Sequence, residues 1–326
     1  MSSPTPFALG TFSHAGSSPF IGLVVADQVV ALQAFAAQGL TPYGQSMLEL
    51  LDNWDRNLPI LESAAQSFSS HTAVLVSNLQ VHAPYTNPRQ ILCVGANYRK
   101  HVVDIIISEA KAEGMSPEEA KTYGEKMMDE RAATGEPYAW TKANSSITGP
   151  FDPIILPKDV KEPDWELELG IVIGKQGYRI ERDQALDHIA GYAITNDVTA
   201  RDTLYRKDMP KIGTDWLNSK CRPTFLPFGP YIVPRQFVND PQNVQITFKL
   251  NGKTMQDEST SDMIFKIPRL IEYISSLITL YPGDIICTGS PAGNGAHHRR
   301  FFQPGDVAES TITGLGMQRN PCIAEA

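Results

Sequence analysis

The chain has 326 residues, enough to bury a large core, and with 42% apolar and 20% charged residues it has an ordinary soluble globular composition. A net charge of −8 and a pI near 5.4 argue against a nucleic-acid partner held through phosphate contacts. No run is long and apolar enough to span a bilayer, and no membrane partner is expected.

The start, Met1-Ser-Ser-Pro-Thr-Pro6, lacks the basic and apolar regions of a signal peptide, which implies a cytoplasmic protein. Cys93, Cys221, Cys287 and Cys322 have no metal-type spacing and read as thiols. Cys93 and Cys287 lie inside apolar runs and read as core packing.

Taken in chain order, residues 7–83 give few signals. An apolar segment over 20–31 reads as a strand pair or turn, and a helix follows over 45–66. Pro84, Pro88 and the polar residues between them read as a linker, so a small N-terminal domain is expected over 1–85 and the main domain over 86–326. Residues 90–101 read as a buried strand that stops at Gly95 and hands the chain to a polar turn ending at His101, a place where function often sits. Two helical patterns follow. The first covers 102–112 and is stopped by Gly114. The second covers 117–133 and opens on a capping box, Ser116 with Glu119, with Pro117 in the first helical position. A helical hairpin therefore hangs on the turn that carries His101; a surface decoration, an oligomer contact and a lid all fit it.

Beyond the hairpin the chain is mostly β, with strands expected over 153–157, 165–174, 191–197, 245–250, 284–288 and 307–313. Asn251-Gly252 signals a hairpin turn of the primed type, and 267–280 has helical spacing. In the strand over 165–174, Trp165, Leu167, Leu169, Ile171 and Ile173 alternate on one face, so Glu166 and Glu168 share the other. Residues two apart on a strand are separated by roughly 6.5 Å, close enough for both carboxylates to converge on one ion. Side by side they repel, and burying either without a partner is costly. A divalent cation resolves both problems, although a strand with one solvated face has the same pattern.

Asp197 closes the strand over 191–197, where it either adds a third carboxylate or caps the 199–205 segment. An all-carboxylate set suits Mg²⁺, Mn²⁺ or Ca²⁺ rather than zinc. This reading fails if Asp197 lies apart from the pair, or if each acid is taken by a basic neighbour. His101 and Asp104, three apart in a helical start, suit a general base oriented by a carboxylate, or are an incidental surface pair. Lys220, on a proline-rich loop, is placed either to offset developing negative charge or simply to be solvated. The glycine-rich turn over 288–295 lacks the lysine of a phosphate loop and the glycine spacing of a dinucleotide fingerprint. It reads as a close backbone approach to a small anion or carbonyl.

Val94-Gly-Ala-Asn-Tyr-Arg-Lys-His101, Glu166-Leu-Glu168-Leu-Gly-Ile-Val-Ile-Gly, Asn196-Asp-Val-Thr-Ala-Arg-Asp202, Lys220 ahead of Pro227-Phe-Gly-Pro, and Pro282-Gly-Asp-Ile-Ile-Cys-Thr-Gly-Ser-Pro-Ala-Gly occur in this order. In order, spacing and residue type, residues 90–322 resemble the fumarylacetoacetate hydrolase family. The resemblance implies an α+β, mostly β fold: a mixed β-roll or flattened barrel, preceded by a small α/β domain and carrying a helical lid insertion, in a homodimer. It implies Mg²⁺ or Mn²⁺ held by Glu166, Glu168 and Asp197, no organic cofactor, His101 as the lid base with Asp104, and Lys220 near the substrate oxygens. It further implies Arg201, Thr288, Tyr98 and Lys142 as substrate-binding residues.

The activity so implied is metal-dependent hydrolysis of a C–C bond in a 1,3-dicarbonyl or acylpyruvate-type 2-oxo acid. The alternatives are a lyase or isomerase on the same scaffold, such as a 2-oxo diacid decarboxylase or hydratase, or a catalytically silent member. Three departures from the family pattern stand out. Asp104 replaces a frequent glutamate, Leu204 falls where a glutamine is frequent, and the 105–136 insertion is long.

Overall fold

Period-two alternation dominates the chain after the hairpin, and most of the strands there join two larger sheets whose facing residues share one apolar core. The computed structural model describes residues 5–40, 46–68, 72–112, 114–206, 208–209, 211 and 213–326. Residues 1–4, which open the stretch read for a leader, and Gln45, where the sequence places a helix start, lie outside them.

The sheet that positions the site runs Val233–Pro234, Ile189–Asn196, Leu167–Ile173, Ile285–Cys287, Ile91–Gly95, Tyr138–Thr141. Within it Ile285–Cys287 and Ile91–Gly95 run parallel and the other neighbours antiparallel. The facing sheet runs Lys253–Ser259, Gln245–Leu250, Val307–Ile312, Met317–Ala324, Ile154–Leu156. Trp165, Leu167, Leu169, Ile171 and Ile173 all enter the core between them, as their alternation requires, together with Ile246, Phe248 and Ile312. The Trp165 ring stacks on Phe248 at 5.1 Å between centroids. Val172, on the other face, joins a second apolar cluster.

The strands expected after residue 150 fall within a few residues of those observed. Asn251 and Gly252 both adopt positive φ, 53° and 79°, which is the primed turn that their sequence specifies. The helix expected over 267–280 is Ile267–Leu277. It stops early because Ile278 is extended and Leu280 exchanges two backbone hydrogen bonds with Gly177, at 2.8 and 3.0 Å. Sheet pairing there overrides the helical spacing.

At the N-terminus the apolar segment over 20–31 is a hairpin, Phe20–Val25 with Gln28–Ala31. It belongs to a sheet ordered Val74–Leu75, Gln28–Ala31, Phe20–Val25, Ala8–Ser13, Gln80–His82. The helix expected over 45–66 is two helices, Met47–Asp52 and Trp54–Gln66, separated at Asn53, whose ψ of 35° leaves the helical region. Leu50, Leu51, Trp54 and Leu61 pack with Leu9 and Leu23, and also with Cys93, Val172 and Ile285 of the main sheet.

One apolar cluster thus spans the N-terminal segment and the main sheet, so residues 84–88 are a pinned strap rather than a free linker. The Tyr85 hydroxyl donates to Gly283 O at 3.0 Å, the Asn144 amide to Pro88 O at 2.6 Å and Thr11 to Pro84 O at 2.7 Å.

The helical hairpin is Arg99–Ala112 and Pro117–Thr134. Both halves of the expected capping box are present: Ser116 Oγ accepts from Glu119 N–H, and the Glu119 carboxylate accepts from Ser116 N–H. Gly114 takes φ of +84° between the helices. The helices meet on a small cluster of their own, Val102, Val103 and Met128. Among the described residues no helix is long and apolar enough to cross a membrane.

Candidate metal centre

Leu167 opens one strand and Asn196 ends its antiparallel neighbour, and the two are paired in register. The residues flanking this pair are therefore brought together at one end of the sheet: Glu166 and Glu168 on one strand, Asp197 at the tip of the other. One ligand oxygen from each of the three, all buried, lies within 4.8 Å of the others. Backbone contacts hold the junction. Asp197 N–H donates to Glu166 O at 2.8 Å, and Glu166 N–H donates to the Asn196 side chain at 2.9 Å. Asp197 does not cap a helix; the segment after it is a short strand, Thr199–Ala200, and a single 3-10 turn.

Three cations surround the acids. Lys220, buried at the end of the short Trp216–Lys220 helix, donates to Glu166 Oε2 at 2.5 Å and to Asp197 Oδ2 at 2.7 Å. Lys142, carried in by the Tyr138–Thr141 strand, donates to Asp197 Oδ1 at 2.7 Å. Arg201 donates to Glu166 and, through Nε, to Asp164 Oδ2 at 2.8 Å. Burial would raise Glu166, but Lys220 and Arg201 outweigh it and hold the carboxyl at about 2. Lys220 is raised in turn, since Asp197 and Glu166 outweigh its burial.

Glu168 is different. Its Oε2 accepts the Gly289 N–H at 2.7 Å, and among the described residues no cation reaches it. Burial, followed by Cys287, Asp197 and Glu166, pushes it well above the usual carboxylate range. Of the two outcomes that would defeat the metal reading, the first does not occur and the second occurs for two acids of three. Asp164, Glu166, Glu168 and Asp197 face Lys142, Lys220 and Arg201, which leaves one carboxylate in excess. That excess sits on Glu168, beside the buried Tyr98 hydroxyl, which has no hydrogen bond of good geometry. An oxygen-only donor set with one uncompensated buried charge fits a hard divalent cation such as Mg²⁺ or Mn²⁺.

The other residues marked in the sequence fall around this centre with changed partners. His101, third in its helix, is half-buried. Burial, then Arg201 and Lys220, lower it to about 4, against the opposing pull of Glu166. It is thus a neutral imidazole within reach of the charges at the centre. Asp104 makes no hydrogen bond to His101 among the described residues; its Oδ2 lies 3.8 Å from His297 Nδ1. The expected orienting pair is therefore not assembled, because the shorter aspartate side chain points to the neighbouring turn. Thr288 is buried, and its hydroxyl donates to Leu169 O at 2.9 Å, which secures the strand end rather than leaving a free donor. Cys93 and Cys287 are in-register neighbours in the sheet and fully buried, as packing residues.

Asp164 carries no role in the sequence reading. It is buried, and it accepts from Arg201 and from the Gly295 and Ala296 N–H groups. The signal was present, since the alternation that singles out Glu166 and Glu168 extends back two residues to Asp164. His297 was missed with it, and no local pattern in the sequence links that turn to the hairpin.

Residues 90–323 match the family model described as fumarylacetoacetate (FAA) hydrolase C-terminal. The chain is 35% identical over 316 residues to a mitochondrial oxaloacetate tautomerase of Xenopus laevis, covering 95% of this chain and 88% of that one. It is 42% identical over 187 residues to the 2,4-didehydro-3-deoxy-L-rhamnonate hydrolase of Sphingomonas sp. (strain SKA58), covering 56% of this chain and 64% of that one. Among solved structures it is similar to a fumarylacetoacetate hydrolase from Exiguobacterium antarcticum, with a TM-score of 0.75 and 31% identity over 98% of this chain and all of that one.

Proposed function

The chain belongs to the fumarylacetoacetate hydrolase family, and from that premise we propose that it is a divalent-metal-dependent hydrolase cleaving a C–C bond in a 1,3-dicarbonyl or acylpyruvate-type 2-oxo acid. The observation that carries this reading is the buried Glu166, Glu168 and Asp197 cluster, with one negative charge uncompensated and a neutral imidazole beside it. When bound there, Mg²⁺ or Mn²⁺ supplies Lewis acidity to the 2-oxo acid oxygens.

The protein's own groups do the rest. Burial keeps His101 in its basic form at neutral pH, so it is able to take a proton from water as the water oxygen adds to the distal carbonyl carbon. The C–C bond then breaks and its electron pair stays with the 2-oxo acid fragment, whose carbon takes the remaining water-derived proton from the carboxylic acid formed on the other fragment, which leaves as a carboxylate. Lys220 and Arg201 face the side where negative charge develops, and stay charged because the acids beside them raise their affinity for protons. Lys142 stays on Asp197 and fixes that carboxylate.

A second reading keeps the centre but interconverts enol and keto forms, or isomers, of a 2-oxo diacid. Two observations favour it: Asp104 does not orient His101 for water activation, and the relative that matches 95% of this chain is named an oxaloacetate tautomerase. Products separate the two. Acylpyruvates and oxaloacetate are incubated with the protein and Mg²⁺ or Mn²⁺. Release of pyruvate with a second acid supports hydrolysis; loss of the enol absorbance with no new acid supports the tautomerase. Replacing His101 by Ala should lower hydrolytic turnover about 10²-fold or more while leaving metal affinity intact.

A further inference from the structure

Asp104 lies one helical turn beyond His101 on the same face of its helix, and its Oδ2 is 3.8 Å from His297 Nδ1. This carboxylate–imidazole contact crosses from the Arg99–Ala112 helix to the Gly295–His298 turn. The turn is rigidly supported. Gly295 and Ala296 donate their N–H groups to Asp164 at 2.5 and 3.2 Å, and His298 Nε2 lies 3.1 Å from Met255 O. Asp164 also holds Arg201, which holds the candidate metal ligand Glu166. His297 is thus fixed to the same frame as the candidate metal centre, yet its side chain is 50% exposed and it meets, through Asp104, the helix that carries His101.

Among the described residues the titratable and charged groups around His297 are Asp104 and His101 from the hairpin, His298 at 4.9 Å between ring centroids, and the Asp164–Arg201 pair beneath the turn. Lys100, the other cation near Asp104, is engaged by Glu258. A carboxylate-backed imidazole between a half-buried base and solvent has the form of a proton relay.

We propose that His297, backed by Asp104, is the proton exit of the site, passing to solvent the proton that His101 takes from substrate water. The water O–H bond breaks as an N–H bond forms on His101. That N–H bond breaks as the proton passes through intervening water and an N–H bond forms on His297, and His297 releases the proton to bulk water or to a buffer base. Both imidazoles end neutral, and no electrons change hands. His297 is a relay residue acting through His101, and this inference rests on the proposed role of His101.

The test uses the full chain with Mn²⁺ and an acylpyruvate, with turnover followed against the concentration of imidazole added to a weakly reacting buffer. In dilute buffer His297→Gln should lower kcat about tenfold with KM little changed, and added imidazole should restore most of it, while the wild type stays flat. Asp104→Asn should show a smaller loss relieved in the same way. Calorimetric Mn²⁺ affinity should be the same in all three proteins. A loss in His297→Gln that imidazole does not relieve, or full turnover in dilute buffer, overturns the relay and leaves the hydrolase reading standing. A wild type without metal-dependent turnover of any 2-oxo acid overturns both.

Discussion

Leu167 and Asn196 face each other in register across two antiparallel strands, and that single pairing brings Glu166, Glu168 and Asp197 to one point. The three acids are not equivalent, because Asp197 is shared by Lys142 and Lys220 while Glu168 meets no cation among the described residues. In the metal-free protein Glu168→Gln removes a carboxyl whose ionisation burial opposes and which no cation among the described residues offsets, so it should hold or raise the melting temperature. Asp197→Asn strips Lys142 of its carboxylate and should cost about 3–5 kcal/mol. Both variants should lose Mn²⁺ binding. Thermal melts in chelator and calorimetry read the two effects, and equal destabilisation by both substitutions would refute the assignment of the uncompensated charge to Glu168.

Asp284 gives a pH signature away from the centre. It is fully buried, and although Gln90 and the Tyr281 N–H bind Oδ2, its Oδ1 has no hydrogen bond. Burial pushes it up from 3.8 to about 6. Between those two values the folded chain holds a proton that the unfolded chain has released, so stability falls as pH rises through that window. Relative to Asp284→Asn, the wild type should lose about 3 kcal/mol between pH 3.5 and pH 7. Urea unfolding of both proteins at the two pH values reads the difference, and a pH-independent gap between them would remove Asp284 as its source.

The three acids of the candidate metal centre were legible in the sequence because they obey local rules. Period two fixes which face Glu166 and Glu168 share, and a buried run that ends at an acid marks Asp197. The capping box at Ser116 and the turn at Asn251-Gly252 were legible for the same reason, since each is satisfied within a few residues. What could not be read depends on contacts distant in sequence. Asp104 turns to His297 rather than to His101, Leu280 pairs with Gly177, and Tyr85 is pinned under Gly283. The Ala8–Ser13 strand, only six residues long, is set by its pairing partners more than by its own alternation.

The hairpin should open independently of the body. Among the described residues the buried cluster its two helices share is small, Val102, Val103 and Met128, and it meets the body through the partly buried Ile264. Ser116→Ala removes the cap on the second helix and should cost about 1 kcal/mol there. Hydrogen exchange in the first turn of Pro117–Thr134 should accelerate about fivefold, with the global melt unchanged. A drop in the global transition of the size expected for a core substitution would show instead that the hairpin folds as one unit with the sheets.

Gly289 links backbone geometry to the candidate metal site. Its φ is +97°, and a Cβ there would lie 3.0 Å from Asn97 Cβ and 3.1 Å from Val94 O. Asn97 is not free to yield. Its amide donates to Thr288 O at 2.9 Å and to Phe265 O at 3.2 Å, and its Oδ1 accepts from Phe265 N–H at 2.9 Å. Gly289→Ala must therefore move its own backbone, which carries the N–H that Glu168 accepts. The left-handed conformation alone costs about 1–2 kcal/mol for alanine, and a displaced supporting hydrogen bond should lower Mn²⁺ affinity about tenfold. Gly305→Ala separates the two effects, because φ is +93° there and nothing lies within 4 Å of an added Cβ. It should be destabilised by backbone strain and bind Mn²⁺ like the wild type. If Gly289→Ala also binds Mn²⁺ like the wild type, its N–H does not orient Glu168 for the ion, and the carboxylate must be held by the strand alone.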